Sequence, residues 1–524
     1  MFFTTYCGYV NFLIVIIIIR LVFLVILLLC LTLLINLNSS IWVVREKIFL
    51  NFFLGDIELV FNVWSLIFMI IVIFIRIRVI IFSFSYISRL FVRNFVFLYI
   101  SFVFSILWLV VRGNFYWLIL GWDGLGVVSF LLILFYINHE RVNNGLFTLF
   151  QNRLGDLFFV SFIIGIVNLN INLNLILKFG LCFLILGACV KSAQFPFNSW
   201  LLAAIRAPTP ISSLVHSSTL VVAGVYILLQ FHYCLRDMLG LLKCIAFITL
   251  LVRTFGLMNE RDIKKLIAYS TISHVALIIY IIRIELYKIV YFHLNIHAMF
   301  KSLIFICFGF VILSSYHGQD YRLTRLINLN PIIKVVYYFS CFCLAGLPFL
   351  RGFFSKDYII EKIISSVLEF SWIFFLLLFL GVRIFYSLKL IQLYFKHYRY
   401  EIVEKKNFGL WRILVIVRVI IIYINVFLSL MLRLSLEMFS IKIFIYGVII
   451  IFAFLRILFK FNYKIIVYDK IKNFKEVWGY DYYYIDKFFY WNIHEIFSYF
   501  RIIRVYKIIF LSNWWVMRLM LFFF

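Results

Sequence analysis

Proline is nearly missing from this chain. Only 5 occur in 524 residues, and all of them lie between Pro196 and Pro348. Outside that stretch no helix is interrupted by a residue that lacks a backbone N–H. Acidic side chains are scarce as well, 22 Asp and Glu against 49 Lys and Arg, for a net charge of +27. The basic residues form no patch. They are scattered between apolar runs, as in "REK", "KHYRYEIVEKK" and "YKIIVYDKIKNFKE", and read as loop charges and helix-end anchors at a membrane interface, not as a nucleic-acid surface. The nine cysteines sit mostly inside apolar segments, and Cys341-x-Cys343 is too tight for a standard metal pair. No disulfide framework, iron–sulfur spacing or zinc pattern is present. A phosphate-binding glycine loop is missing too, because "GWDGLG" lies inside an apolar span and not between a strand and a helix. The first apolar run is too long for a signal-peptide core, and no small-residue cleavage site follows it.

What the chain has instead is apolar length. Hydrophobic residues make up 66% of it. Runs long enough to cross a hydrocarbon core of roughly 30 Å recur from end to end, among them Asn11–Ile35, Val63–Phe84, Phe97–Val111, Leu146–Val167, Leu241–Leu257 and Trp372–Leu390. Counting the less clean segments gives about 15 crossings, each helical so that its backbone is satisfied within itself. The alternating ten-residue segments of a membrane β-barrel are absent. The expected fold class is therefore all-α, a polytopic membrane protein. Abundant Phe, Ile, Leu, Tyr, Asn and Lys suggest an AT-rich coding sequence, as in some organelle genomes. The prolines and the local excess of Ala and Gly in the middle third then mark a place where special residues are required.

Four blocks are expected. Residues 1–93 give N-terminal transmembrane helices. Residues 94–235 and 236–395 give two blocks of about five helices each, and 396–524 the C-terminal helices. Each middle block holds one long apolar segment broken by proline. In the first it is "LGACVKSAQFPFNSW", with Lys191 just before Pro196; in the second, "LAGLPFLRGFFSKDYIIE", with Lys356 just after Pro348. Paired broken helices in two halves point to a transporter built from internal repeats. Irregular backbone at that depth is tolerated where it is buried or lines a wet cavity.

Ionisable groups inside spans are costly and usually mark an ion or proton path. In chain order the first is Asp123 in "LILGWDGLGVVSFLLILF". Arg153 and Asp156 in "FQNRLGDLFFV" follow, spaced i, i+3 on one helix face. Lys191 lies near mid-depth, where burial favours a neutral lysine and a nearby carboxylate a charged one. His216 sits among hydroxyls in "PTPISSLVHSSTLVVAG", where an imidazole can relay protons. His293, His297 and Lys301 in "YFHLNIHAMFKSLIF" are spaced four and four, which strings them along one helix stripe over about 12 Å. His-x3-His also suits a metal, but no third ligand is evident and no Glu follows the first His. Lys356 and Asp357 close the series after the second break. Together these residues ask for proton or cation translocation. Snorkelling lysines, core histidines and a helix-end ion pair are the structural alternatives.

The strings "GWDGLGVVSFLLI", "QNRLGD", "KSAQFPFNSWLLAAIRAPTPISSLVHSSTLVVAGVYIL", "DIKKLIAYSTISHVALI", "HLNIHAMFKSLIF" and "GLPFLRGFFSKDYIIE" resemble, in order, the signatures of the antiporter-like membrane subunits of respiratory complex I, NADH:ubiquinone oxidoreductase. The resemblance covers roughly residues 60–400 and is to the distal, mitochondrially encoded type. It implies two inverted five-helix repeats with broken helices, a C-terminal lateral helix and a terminal anchor. It also implies proton translocation driven by NADH:ubiquinone electron transfer elsewhere in the complex. Asp123 matches a family glutamate paired with the lysine matched by Lys191, and Asp156 the acid of the "RxGD" turn. His216 matches the link towards the next lysine, and His293, His297 and Lys301 the central relay. Lys356 and Asp357 match the exit. No redox chemistry or cofactor is expected on this chain, since NADH, FMN, iron–sulfur clusters and ubiquinone belong to partner subunits. The implied setting is the mitochondrial inner membrane, among other complex I membrane subunits (especially an adjacent antiporter-like chain 4), accessory subunits and lipids. Two departures stand out: Asp123 is one methylene shorter than the family glutamate, and the stretch available for a lateral helix, about 480–510, is short. A cation/proton antiporter without a redox partner, or a scaffold whose charged line has decayed, are the other readings.

Overall fold

Long apolar runs free of proline fold here as helices, and the break falls where the prolines begin. The computed structural model describes residues 42–46 and 57–346 apart from short gaps (89–90, 112, 137, 168–172, 216–218, 261, 316–317 and 321–330). It also describes Ser355, Ile359, Ser387, Leu390 and Ile391. The Asn11–Ile35 run, most of Trp372–Leu390, and the whole block 396–524 with its expected lateral helix lie outside these residues. So do His216, Lys356 and Asp357.

Two short strands come first, β1 (Trp42–Glu46) and β2 (Ile57–Phe61). They pair antiparallel, with Trp42 opposite Phe61 and Glu46 opposite Ile57. The sequence reading expected only helices in this block. "WVVRE" and "IELVF" are instead short and rich in β-branched and aromatic residues, which suit a pleated surface and are too few to span. Helices follow: α1 (Val63–Tyr86), α2 (Val92–Val111), α3 (Phe115–Ile133), α4 (His139–Val167) and α5 (Leu173–Lys191). At the start of α1, Asn62 N–H donates to Ser65 Oγ at 2.9 Å, satisfying one of the donors a helix N-terminus leaves over.

Glycine sets how closely these helices approach. A Cβ on Gly187 of α5 would stand 3.2 Å from the Gly155 carbonyl oxygen of α4, and one on Gly165 would stand 3.6 Å from the Gly180 Cα. The two helices therefore touch backbone to backbone along a seam of small residues, the usual way membrane helices gain packing contacts.

α5 ends at Lys191. The Gln194 N–H closes back on the Cys189 carbonyl at 2.9 Å, and Ala193 takes the left-handed backbone at φ 54°. Pro196 lies beyond. The chain restarts as α6 (Ser199–Ala204), turns at Pro208, and continues as α7 (Thr209–Leu214) and α8 (Leu220–Gln230). Ending a helix at depth frees carbonyls that need donors. The indole N–H of Trp200 donates to one of them, Val190, at 2.8 Å, and both residues are buried. The Ala193 N–H also reaches that carbonyl, at 3.2 Å, so Trp200→Phe should destabilise the protein by about 0.5–1.5 kcal/mol, the net worth of one hydrogen bond. Thermal unfolding of the purified chain in detergent measures it. An unchanged midpoint would mean that the indole does not hold the break.

After a 3-10 turn at Arg236–Met238 come α9 (Leu239–Asn259), α10 (Ile263–Ile282), α11 (Tyr287–Ser314) and α12 (Pro331–Ala345). α9 packs on α10, α10 on α11, and α11 on α12; α11 also crosses α7 and α1. A core of Leu266, Ile267, Ile304, Phe308, Val311 and Tyr337 joins α10, α11 and α12. Among the described residues five helices are long and apolar enough to cross a membrane: Val63–Tyr86, Val92–Val111, His139–Gly165, Ile263–Ile282 and Tyr287–Leu313. Shorter apolar helices at Trp117–Ile133, Gly180–Lys191, Leu220–Gln230 and Ile333–Ala345 fill the space between them. The protein is a mostly helical, multi-pass membrane protein.

Candidate functional site

Lys191 closes α5 with its side chain fully buried. Its Nζ stands 3.4 Å from Asp156 Oδ1 on α4, donates to the Trp122 carbonyl on α3 at 3.4 Å, and lies 5.0 Å from the centre of the Trp122 ring. Space for the ammonium comes from Gly126, where a Cβ would be 3.1 Å from Nζ. Arg153, one turn before Asp156, places one nitrogen 3.3 Å from Asp156 Oδ2 and 3.3 Å from Asp123 Oδ2. The i, i+3 pairing read from the sequence is therefore made, and a charged line runs Lys191–Asp156–Arg153–Asp123. The direct partner of the lysine is Asp156. Asp123 joins through Arg153. An aspartate on α3 has a short reach, and Asp156 lies at the level where α4 meets the end of α5.

This line leads outward. The Asp156 side chain is 9% exposed, whereas those of Asp123 and Arg153 are 35% and 45% exposed. Around them the outer face is apolar: Leu120, Val127, Phe150, Leu154 and Leu157 are all exposed.

Inward from Lys191 the break itself is polar. Gln194 donates to the Ser192 carbonyl at 3.0 Å, and its Oε1 accepts from Thr249 of α9 at 2.9 Å. Thr209, Ser212 and Ser213 of α7 are buried where α7 packs against α11. Lys264, in the first turn of α10, donates to the Ala207 carbonyl just ahead of Pro208, at 3.1 Å. His216 falls among the residues not described.

A second cluster forms between α10 and α11. His293, His297 and Lys301 are all buried on α11. Lys301 Nζ donates to Ser270 Oγ and to the Ile267 carbonyl, the latter at 3.5 Å. His293 Nδ1 meets Ser355 Oγ at 3.0 Å, the residue just before Lys356. The sequence reading missed His274 of α10. Its ring is 1% exposed, with its centre 5.3 Å from that of His297 and 5.8 Å from that of His293. Its signal was present in "STISHVAL", a histidine in an apolar span one turn after Ser270. Arg76 and Arg253 were passed over too. Both are buried in apolar helices, Arg76 beside the Tyr99 and Phe102 rings and Arg253 4.9 Å from the Tyr269 ring, where aromatic faces meet the guanidinium. Among the described residues no three His, Cys, Asp or Glu side chains are placed to hold a metal ion.

Solved structures of similar shape define the fold class. A chain of the Mrp complex from Dietzia sp. DQ12-45-1b superposes with a TM-score of 0.70 at 20% identity, covering 94% of this chain and 58% of that one. A chain of an archaeal respiratory membrane complex, the membrane-bound sulfane sulfur reductase, superposes with a TM-score of 0.70 at 18% identity, covering 79% and 89%. The chain thus shares the fold of these membrane-complex chains.

Sequence comparison narrows the class. Residues 113–384, over half the chain, match the family described as NADH:quinone oxidoreductase/Mrp antiporter, TM, and the chain belongs to that family. Among curated relatives, NADH-ubiquinone oxidoreductase chain 5 of Aedes aegypti is 37% identical over 347 residues, 63% of this chain and 60% of that protein. The chain 5 sequence of Locusta migratoria is 38% identical over 341 residues, 62% and 59%, and that of Anopheles arabiensis 37% over 322 residues, 58% and 83%. The matched region spans about three fifths of the length of the first two relatives.

Proposed function

We propose that this chain is a proton-translocating, antiporter-like membrane subunit of a respiratory NADH:ubiquinone oxidoreductase, in its distal position. The observation that carries the reading is the pair of fully buried lysines, Lys191 beside Asp156, and Lys301 beside Ser270 and on the helix that carries His293 and His297. Keeping such groups inside a membrane is costly and is the mark of an ion pathway. A proton held at Lys191 is governed by Asp156, with Arg153 and Asp123 behind it. It passes by way of the polar break and His216 to Lys301, then along His297 and His293 to Ser355 and out near Lys356 and Asp357. The full architecture in this reading has about 15 spans, two inverted five-helix repeats and a C-terminal lateral helix. NADH, FMN, iron–sulfur clusters and ubiquinone reside in partner subunits, and the complex sits in the mitochondrial inner membrane.

The half-exposed Arg153–Asp123 pair on an apolar face supports a neighbouring membrane subunit there, for which an antiporter-like chain 4 is the candidate. A charge pair meeting lipid is expensive, and a protein partner with polar groups of its own relieves it.

A second reading, the large subunit of a cation/proton antiporter, is favoured by the coverage of this chain by the Mrp-complex structure. Mild solubilisation separates the two. Co-migration with flavin and iron–sulfur subunits is expected here, and a complex without them would support antiport. Lys301→Ala should abolish proton translocation in sealed membrane vesicles. If that variant assembles and still pumps at the parent rate, the proton-path reading is wrong.

A further inference from the structure

α10 and α11 are joined by four residues and run antiparallel, and their polar side chains meet in register. Lys301 contacts Ser270. One turn earlier on α11 is His297 and one turn later on α10 is His274, with ring centres 5.3 Å apart. His293, a further turn along α11, has its ring centre 5.8 Å from the same His274. The five positions thus form a ladder across two helices, and His274 is the only imidazole on the α10 rail.

We infer that His274 is a further proton-carrying residue of this chain, placed to link His293 and His297 of α11 to the Ser270–Lys301 contact through α10. The inference rests on the proton-translocating reading given above. Its physical ground is distance. His293, His297 and Lys301 follow one another at one-turn intervals of about 6 Å rise along α11, and the His274 ring stands across from them, 5.8 Å from that of His293 and 5.3 Å from that of His297. The imidazole of α10 therefore stands beside both histidines at once, and rings at these separations are within reach of a single bridging water. The carrier step balances without a cofactor. The ring takes a proton at one nitrogen, releases the proton held on the other, and returns to its starting form by a tautomer change, with no net charge left behind. All three rings are buried, so the path is shielded from bulk water on either side.

The test compares His274→Gln with Lys301→Ala in the full chain, assembled in its complex in sealed membrane vesicles. Glutamine fills much the same volume and keeps hydrogen-bonding capacity, so it preserves a structural role but cannot carry a proton. The expected result is at least a threefold fall in protons translocated per NADH oxidised for His274→Gln, with normal assembly, and complete loss for Lys301→Ala. Normal pumping by His274→Gln beside loss in Lys301→Ala would overturn the role of His274 and leave the general reading standing. Normal pumping by both assembled variants would remove the general reading and this inference with it. Should His274→Gln fail to assemble, His274→Asn decides in the same way.

Discussion

Replacing Asp156 by alanine should cut proton translocation at least a hundredfold, while the same change at Asp123 should cost only a few-fold. The contrast follows from which carboxylate meets the buried ammonium. Asp156 stands 3.4 Å from Lys191 Nζ and is nearly buried; Asp123 reaches the line through Arg153 and is 35% exposed. Removing one partner of a buried ion pair leaves the other charge uncompensated, a loss of about 3–5 kcal/mol. At roughly 1.4 kcal/mol per factor of ten, that corresponds to about two to three and a half orders of magnitude in the population or rate that depends on it. When Asp123 is removed, Arg153 keeps its contact with Asp156, and Lys191 keeps its carboxylate. Proton uptake by vesicles containing assembled complex measures both. Equal losses in the two variants would show that Asp123 governs the lysine as much as Asp156 does, and would overturn the contrast. Asp156→Asn, which keeps the volume, separates charge from packing.

The second large effect is expected at Gly224 of α8. A Cβ there would stand 2.5 Å from the Ala188 carbonyl oxygen and 3.0 Å from the Ser192 nitrogen. Both are backbone atoms of the turn that ends α5, so neither can rotate away. Gly224→Ala should cost about 1–3 kcal/mol, the usual range for overpacking, and Gly224→Val should prevent accumulation of folded chain. The strain falls on the residues that hold Lys191 in place, so surviving Gly224→Ala protein should also translocate protons more slowly. Gly240→Ala is the control, since nothing lies within 4 Å of a Cβ added there. Immunoblots of membranes and unfolding in detergent read the outcome. Parent-like stability of Gly224→Val would show that α8 and the end of α5 are not packed as described.

Much of this arrangement could be read from the chain because membrane helices advertise themselves by length, and charges inside them by contrast. Val63–Phe84 and Leu146–Val167 sit within α1 and α4. The end of a helix at Lys191 followed from Pro196. Spacing within one helix was equally legible, as for Arg153 with Asp156 and for the stripe on α11. Relations between helices were not. Nothing in a single sequence sets the level at which α4 crosses α5, so Asp156 as the contact of Lys191, with Asp123 one step further out, emerged only in three dimensions. His274 was overlooked for the same reason: on α10 it is a lone histidine, and its meaning comes from the antiparallel register with α11. The β1–β2 pairing escaped because segments of five residues carry no periodicity strong enough to compete with the apolar runs around them.

The half-exposed Arg153–Asp123 pair bears on the life of the protein before it works. A copy inserted alone would turn this pair, ringed by Leu120, Leu154 and Leu157, toward acyl chains. That orphan state is higher in free energy than the docked one by the cost of charge facing lipid. In the proposed complex, the residues that end the line would therefore also make an undocked copy less stable than a docked one.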